Sequence, residues 1–128
     1  MPRRPTNEEI ELALKLVGPD FPEQGTLKRQ LENSTVTELE DGLVLEFNVL
    51  ADLPLVTTRS ALGEGSLYDV DGVPVIFTLI QKNGYVWHLD IGRADAGRIR
   101  RQLDFAQVVA LGFGKGLSLE RTEQNKFE

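Results

Sequence analysis

The first apolar residues of the chain recur with the period of an α-helix. They stand at positions i, i+3, i+4 and i+7, and they are Ile10, Ala13, Leu14 and Val17. Thr6 and Glu9 have the spacing of a capping box, in which each side chain bonds to the backbone of the other residue. Because Gly18 and Pro19 interrupt the pattern, we predict a helix over residues 7–17.

A second, shorter helix is predicted after a loop. Leu27 and Leu31 are four residues apart, so they share one face of a helix. We predict that this helix covers residues 26–32.

From Val36 onward the apolar period changes from that of a helix to that of a strand. Two apolar runs flank Asp41 and Gly42, and Asp-Gly readily adopts the positive φ angles of a tight primed turn. We predict a hairpin with strands at about residues 35–40 and 43–49.

Residues 66–92 carry the clearest β pattern. Three apolar runs are separated by Asp71-Gly72 and Asn83-Gly84, two strong signals for two-residue hairpin turns. We therefore predict a three-stranded antiparallel meander. Its middle strand is apolar on both faces, so we expect it to lie centrally and to be covered on both sides.

Simple alternation in the third strand predicts which side chains share a face. One face carries Tyr85, Trp87, Leu89 and Ile91, and the other carries Val86, His88 and Asp90. Beyond Arg93 the pattern supports two interpretations. One is an extended segment around Ile99, and the other is a helix with Ile99, Leu103, Ala106 and Ala110 on one face. Gly112, Gly114 and Gly116 then predict a flexible loop.

These elements predict an α+β fold, with the N-terminal helix packed on an antiparallel meander sheet of about five strands. A chain of 128 residues has the usual size of one domain, which we expect to span residues 1–128. The polar residues from about 120 onward are expected to fray.

Composition excludes several classes of site. The chain has no cysteine, so it cannot form disulfides, thiolate metal sites or a cysteine nucleophile. Its N-terminus lacks the apolar stretch of a signal peptide, and its longest apolar run, 73–80, is far shorter than the roughly 20 residues that span a bilayer. We expect a cytoplasmic protein that does not engage membranes.

The net charge of −6 is concentrated in the middle of the chain. Residues 34–72 hold eight acidic residues and one basic residue, a local net charge of −7. Such a field repels nucleic acid and attracts a basic partner, although acidic residues also serve simply to keep a domain in solution. Arg93, Arg98, Arg100 and Arg101 form a small basic cluster, which we interpret either as a solvated face or as an internal partner for these acids.

Candidate chemistry is sparse. His88, the only histidine, shares a predicted strand face with Asp90 and forms the best acid–base pair available, although a single strand histidine is more often a surface residue. Asp69 and Asp71, followed by Gly72, match a fragment of a calcium loop whose remaining ligands are missing, so a hairpin turn is the simpler interpretation. We expect neither a metal nor a cofactor.

Two strand motifs carry a family resemblance. Tyr68 to Val75 reads YDVDGVPV, and Trp87 to Asp95 reads WHLDIGRAD. With the intervening Asn83-Gly84 they resemble a family of small, functionally uncharacterised bacterial proteins that have a D-x-D-G-x-x-V strand and an L-D/E-I-x-R/K-x-D strand. The N-terminal Pro5-Thr6, preceded by arginine and followed by Glu9, is similar to the start of some relatives.

Such small acidic proteins resemble the immunity proteins of contact-dependent or polymorphic toxin systems. The resemblance implies a non-enzymatic protein that neutralises a cognate basic toxin of the nuclease type. The residues expected at that interface are Glu38, Glu40, Asp41, Glu46, Asp69 and Asp71. Two alternatives stay open: an enzyme or ligand-binding domain that uses the His88/Asp90 face, and a homo-oligomer, such as a dimer, in which a twin subunit covers the sheet.

Overall fold

The computed structural model of the protein describes residues 2–111. Two helices precede a six-stranded antiparallel sheet with the order β1-β2-β5-β4-β3-β6. The elements are α1 Asn7–Val17, α2 Gln24–Glu32, β1 Ser34–Leu39, β2 Val44–Val49, β3 Ala61–Tyr68, β4 Pro74–Lys82, β5 Tyr85–Arg93 and β6 Val109–Ala110. The predicted α+β fold is confirmed, with one more strand than the predicted number.

Helix α1 has the predicted bounds, and its capping box is complete. The backbone N–H of Glu9 donates to the Thr6 hydroxyl at 3.1 Å, and the backbone N–H of Thr6 donates to the Glu9 carboxylate at 2.9 Å. The face that enters the core is rotated from the predicted stripe. Its buried apolar residues are Leu12, Ala13, Leu16 and Val17, whereas Ile10 and Leu14 are half-buried.

Both helices pack on one face of the sheet, where the side chains of Phe77, Leu79 and Leu89 are fully buried. At Gly63 the backbone of β3 lies directly against the backbone of α1. A Cβ atom on Gly63 would lie 2.3 Å from the carbonyl oxygen of Leu16, closer than any two such atoms can approach. A glycine in β3 therefore determines how closely α1 approaches the sheet.

Asn83-Gly84 forms the predicted two-residue turn. Lys82 pairs directly with Tyr85, and Asn83 and Gly84 have φ angles of 55° and 87°, as a type I′ turn requires. This turn joins β4 to β5, which lie at the centre of the sheet as predicted for the middle strand. The predicted cover on both sides is wrong, because the side chains of β4 alternate between buried and half-buried positions.

The prediction of two-residue turns at the other two Asp-Gly pairs is wrong. In the first hairpin Leu39 pairs with Val44, so the connection contains four residues. In the second, Tyr68 pairs with Pro74, and the backbone N–H of Asp69 also donates to the carbonyl of Val73 at 2.9 Å, so three residues remain in the turn. The backbone N–H of Gly72 donates to the carbonyl of Asp69 at 2.9 Å and Gly72 has a φ angle of 84°, as in a three-residue hairpin loop that ends in a left-handed glycine.

Strand β5 contains a bulge that the alternation rule did not predict. Ile80 pairs with His88 but the next pair joins Gln81 to Val86, so Trp87 is an extra residue. As a result Val86 is buried, and the predicted division of the faces is wrong for the first half of the strand. The rings of Trp87 and His88 stack with their centroids 3.6 Å apart.

Residues 97–104 form neither of the two elements proposed for them; they have no regular structure. A short 3-10 turn, Phe105–Gln107, follows and leads into β6, which pairs with β3. The predicted loop at 112–116 and the predicted fraying from about 120 lie outside the described residues. Within residues 2–111, neither helix is long and apolar enough to cross a membrane.

Candidate protein-binding surface

Four of the six predicted binding residues lie on the β1–β2 hairpin, residues 34–49, which we call the acidic hairpin. They are Glu38, Glu40, Asp41 and Glu46, and the hairpin contains no lysine or arginine. At its tip Glu40 and Asp41 have φ angles of 52° and 56°, a left-handed conformation that costs a non-glycine residue roughly 1–2 kcal/mol. Both side chains are exposed, and among the described residues neither has a hydrogen-bond or ion-pair partner.

Glu38 lies beside this tip and shares a cation with α1. The Arg3 guanidinium is 3.1 Å from the Glu38 carboxylate and 2.6 Å from the Glu9 carboxylate. Burial raises the pKa of Glu9, but hydrogen bonds from Arg3 and Thr6 outweigh it, and the net result is a lowered pKa. Because one guanidinium serves two carboxylates, this group keeps a net negative charge.

Glu46 lies in β2, directly opposite His88 of β5. The His88 Nε2 atom is 3.0 Å from the Glu46 carboxylate, and its Nδ1 atom is 3.6 Å from the Asp90 carboxylate. His88 and Asp90 therefore lie side by side as predicted, but the hydrogen bond of His88 is to Glu46 and not to Asp90. Among the surface cavities in the described part of the chain, the two of about 580 and 380 Å³ are lined by residues other than His88 and Asp90.

The other two predicted binding residues, Asp69 and Asp71, surround a buried arginine. The Arg93 side chain is 4 % exposed and donates five hydrogen bonds of 2.8–3.0 Å to the carboxylates of Asp69, Asp71 and Asp95. We call these four residues the arginine cluster. Arg100 adds a contact of 3.5 Å to Asp71, so the basic segment is in part the internal partner of the acidic one.

The arginine cluster keeps its carboxylates ionised. The hydrogen bond from Arg93 is the main cause of a lowered pKa at both Asp71 and Asp95. Burial opposes ionisation of Asp69, but hydrogen bonds from the backbone of Arg100 and Val70, and from Arg93, lower its pKa overall. The carboxylates that suggested a calcium loop are occupied by a guanidinium.

The fold therefore separates the predicted residues into two groups. The hairpin tip and the β3–β4 loop lie at the same end of the sheet, but β5 and β4 stand between β2 and β3. With roughly 4.8 Å between neighbouring strands, β2 and β3 are about 14 Å apart. The Asp69 side chain is fully buried and is not accessible to a partner, whereas Asp71 is 28 % exposed.

Sequence reasoning named Arg93 only as one of four arginines that could pair with the acidic residues, although a sharper signal was available. Counting pairs back from the Asn83-Gly84 turn brings the end of β5 next to the start of β4, and so next to Asp71. A single basic residue there, facing several aspartates, indicates an internal ion cluster.

Comparison with known proteins adds a family but no activity. The family model for a domain of unknown function, DUF6984, matches residues 2–103. The chain belongs to the DUF6984 family. The matched residues include both helices, strands β1 to β5, the acidic hairpin and the arginine cluster. No curated protein and no solved structure matches the chain.

Proposed function

We propose that this DUF6984 protein acts by binding a basic protein through its acidic hairpin, in the manner of an immunity protein that neutralises a toxin. The observation that carries the proposal is the charge of the hairpin: four carboxylates within residues 34–49 and no lysine or arginine. At the tip, Glu40 and Asp41 are exposed and have no hydrogen-bond or ion-pair partner among the described residues. An unbalanced charge at an exposed hairpin tip is suited to electrostatic steering of a basic partner.

The ion pairs around each site favour the hairpin over the β3–β4 loop as the surface that binds a basic partner. Arg93 and Arg100 offset most of the charge of Asp69, Asp71 and Asp95. Around the hairpin the only basic side chains in contact among the described residues are Arg3 and His88. The hairpin therefore carries more uncompensated negative charge than the β3–β4 loop.

An enzyme that uses the His88/Asp90 face has less support. Both ring nitrogens of His88 face carboxylates, and the ring is stacked on Trp87. General acid–base catalysis needs a substrate held within hydrogen-bonding distance, and neither of the two cavities named above adjoins this pair.

The test is the affinity between this protein and the product of the adjacent gene, where a toxin would be encoded, measured by calorimetry at low and high salt. We expect binding that is nanomolar or tighter at low salt and that weakens as salt rises. The combined substitutions Glu40→Gln, Asp41→Asn and Glu46→Gln should weaken it by at least about tenfold.

A control variant with the same net charge carries Glu11→Gln, Asp20→Asn and Asp52→Asn, all at exposed positions outside the hairpin. It should bind as the unmodified protein does. Equal losses in the two triple variants would show that net charge, not the hairpin, governs binding. Absence of association at low salt would refute the proposed function.

A further inference from the structure

A cavity of about 380 Å³ lies beside the tip of the acidic hairpin. Asp41 and Leu43 form the hairpin wall, and Gly97, Arg98 and Ile99 form the opposite wall, after the end of β5. Gly92 and Arg93 form the floor. The space above Gly92 is open, because a Cβ atom at that position would meet no other atom within 4 Å.

The floor and the far wall of this cavity are held in place by the arginine cluster. Arg93 is bound by three aspartates, and one of them, Asp95, also accepts the backbone N–H of Gly97 at 2.9 Å. The turn that carries Arg98 is thereby tied to the buried guanidinium. The cavity is therefore preformed, which reduces the entropic cost of occupying it.

The charges that line the cavity are of two kinds. Arg93 is fully engaged by carboxylates, whereas Asp41 and Arg98 have no hydrogen-bond or ion-pair partner among the described residues and lie on opposite walls. Leu43 and Ile99 supply apolar surface between them. A ligand that satisfies all of these groups has a cation, an aliphatic stem and a hydrogen-bond acceptor.

We propose that this cavity receives an arginine or lysine side chain of the basic partner. The cationic end lies against Asp41, the methylene groups lie along Leu43 and Ile99, and a backbone carbonyl of the partner accepts from Arg98. The surrounding charge favours a cation over an anion, because the carboxylates around the cavity outnumber the guanidinium groups by five to three. The carboxylates are those of Glu40, Asp41, Asp69, Asp71 and Asp95, and the guanidinium groups are those of Arg93, Arg98 and Arg100. This inference rests on the proposed function, and it specifies the type of side chain by which the partner is anchored.

The experiment uses a small probe, so that it does not depend on the partner. N-acetyl-arginine methylamide is titrated into the ¹⁵N-labelled full-length protein, with the neutral citrulline analogue as the second ligand. We expect the backbone signals of Gly92 and Gly97 to shift, with a dissociation constant on the order of 1 mM for the arginine compound and binding at least about fivefold weaker for citrulline.

Asp41→Asn should remove this preference for arginine, because asparagine keeps the left-handed backbone but lacks the charge. Asp52→Asn, which removes an exposed acid elsewhere, should leave it intact. Equal affinity for arginine and citrulline, or no shift at Gly92 and Gly97 at about 10 mM probe, would overturn the inference.

The two proposals fail in different ways. If the protein binds the adjacent gene product through the hairpin but does not bind the arginine probe, the cavity assignment is refuted and the proposed function stands. If the protein binds the arginine probe in the cavity but does not bind the adjacent gene product, the proposed function is refuted.

Discussion

The contact between α1 and β3 at Gly63 leads to a prediction in which one type of substitution has opposite effects at two positions. In Gly63→Ala the new methyl group would lie 2.3 Å from the Leu16 carbonyl oxygen and 2.7 Å from the Val17 nitrogen. In Gly25→Ala, in the first turn of α2, the methyl group would meet nothing within 4 Å. The first change should therefore destabilise the protein, and the second should stabilise it.

The magnitudes follow from the geometry. An ordinary contact of a Cβ atom is at least about 3.4 Å, so α1 must move away from β3 by roughly 1 Å, and neither backbone can avoid the clash by rotation. Overpacking of this kind costs about 1–3 kcal/mol, and we expect Gly63→Ala to lie at the upper end. Gly25→Ala should gain about 0.4–1 kcal/mol, because alanine reduces the conformational entropy of the unfolded chain.

Urea and thermal unfolding, followed by the fluorescence of the single tryptophan, measure both effects. For a chain of this size a loss of about 3 kcal/mol lowers Tm by roughly 10–15 °C. Gly65→Ala should be intermediate, because its closest neighbour is a Leu16 methyl group at 2.7 Å, which can move, and its closest backbone atom is the Val109 carbonyl oxygen at 2.9 Å, farther than the 2.3 Å at Gly63. A Gly63→Ala protein within about 0.5 kcal/mol of the unmodified one would refute the close approach of α1 to β3.

Two further predictions concern buried polar groups. Gln30 is fully buried and forms hydrogen bonds with the backbone of Pro54, Gly84 and Val86. Because Gln30→Leu leaves these backbone groups without that partner, it should lower the free energy of unfolding, measured in urea, by about 3 kcal/mol. An unchanged free energy of unfolding would contradict this prediction. The three aspartates of the arginine cluster have lowered pKa values in the folded protein. Their ionised forms therefore stabilise the fold fully above about pH 4, the pKa of an aspartate in the unfolded chain, and this stabilisation declines as the pH falls below that value. The Tm difference between Arg93→Met and the unmodified protein should therefore be largest at neutral pH and should narrow in acid; a constant difference from pH 7 to about pH 2 would argue against the ion cluster.

The parts of the fold that the sequence alone determines are those set by neighbouring residues. The capping box of Thr6 and Glu9 defines the start of α1 through hydrogen bonds that span three residues. The turn at Asn83-Gly84 depends on the positive φ angles of two residues and joins the strands in the predicted register at that point. The same local reasoning failed at Asp71-Gly72, where the turn contains three residues because the backbone N–H of Gly72 bonds to the carbonyl of Asp69.

Only the tertiary structure decided which acidic residues remain available to a partner. In the sequence Asp41 and Asp71 look alike, since each precedes a glycine in a predicted turn. In the fold Asp71 forms hydrogen bonds with Arg93, which is 22 residues away in the chain, whereas Asp41 lies at an exposed hairpin tip and has no ion-pair partner among the described residues. The physical reason is that the neutralisation of a charge depends on strand order and register across the sheet, which no local pattern encodes.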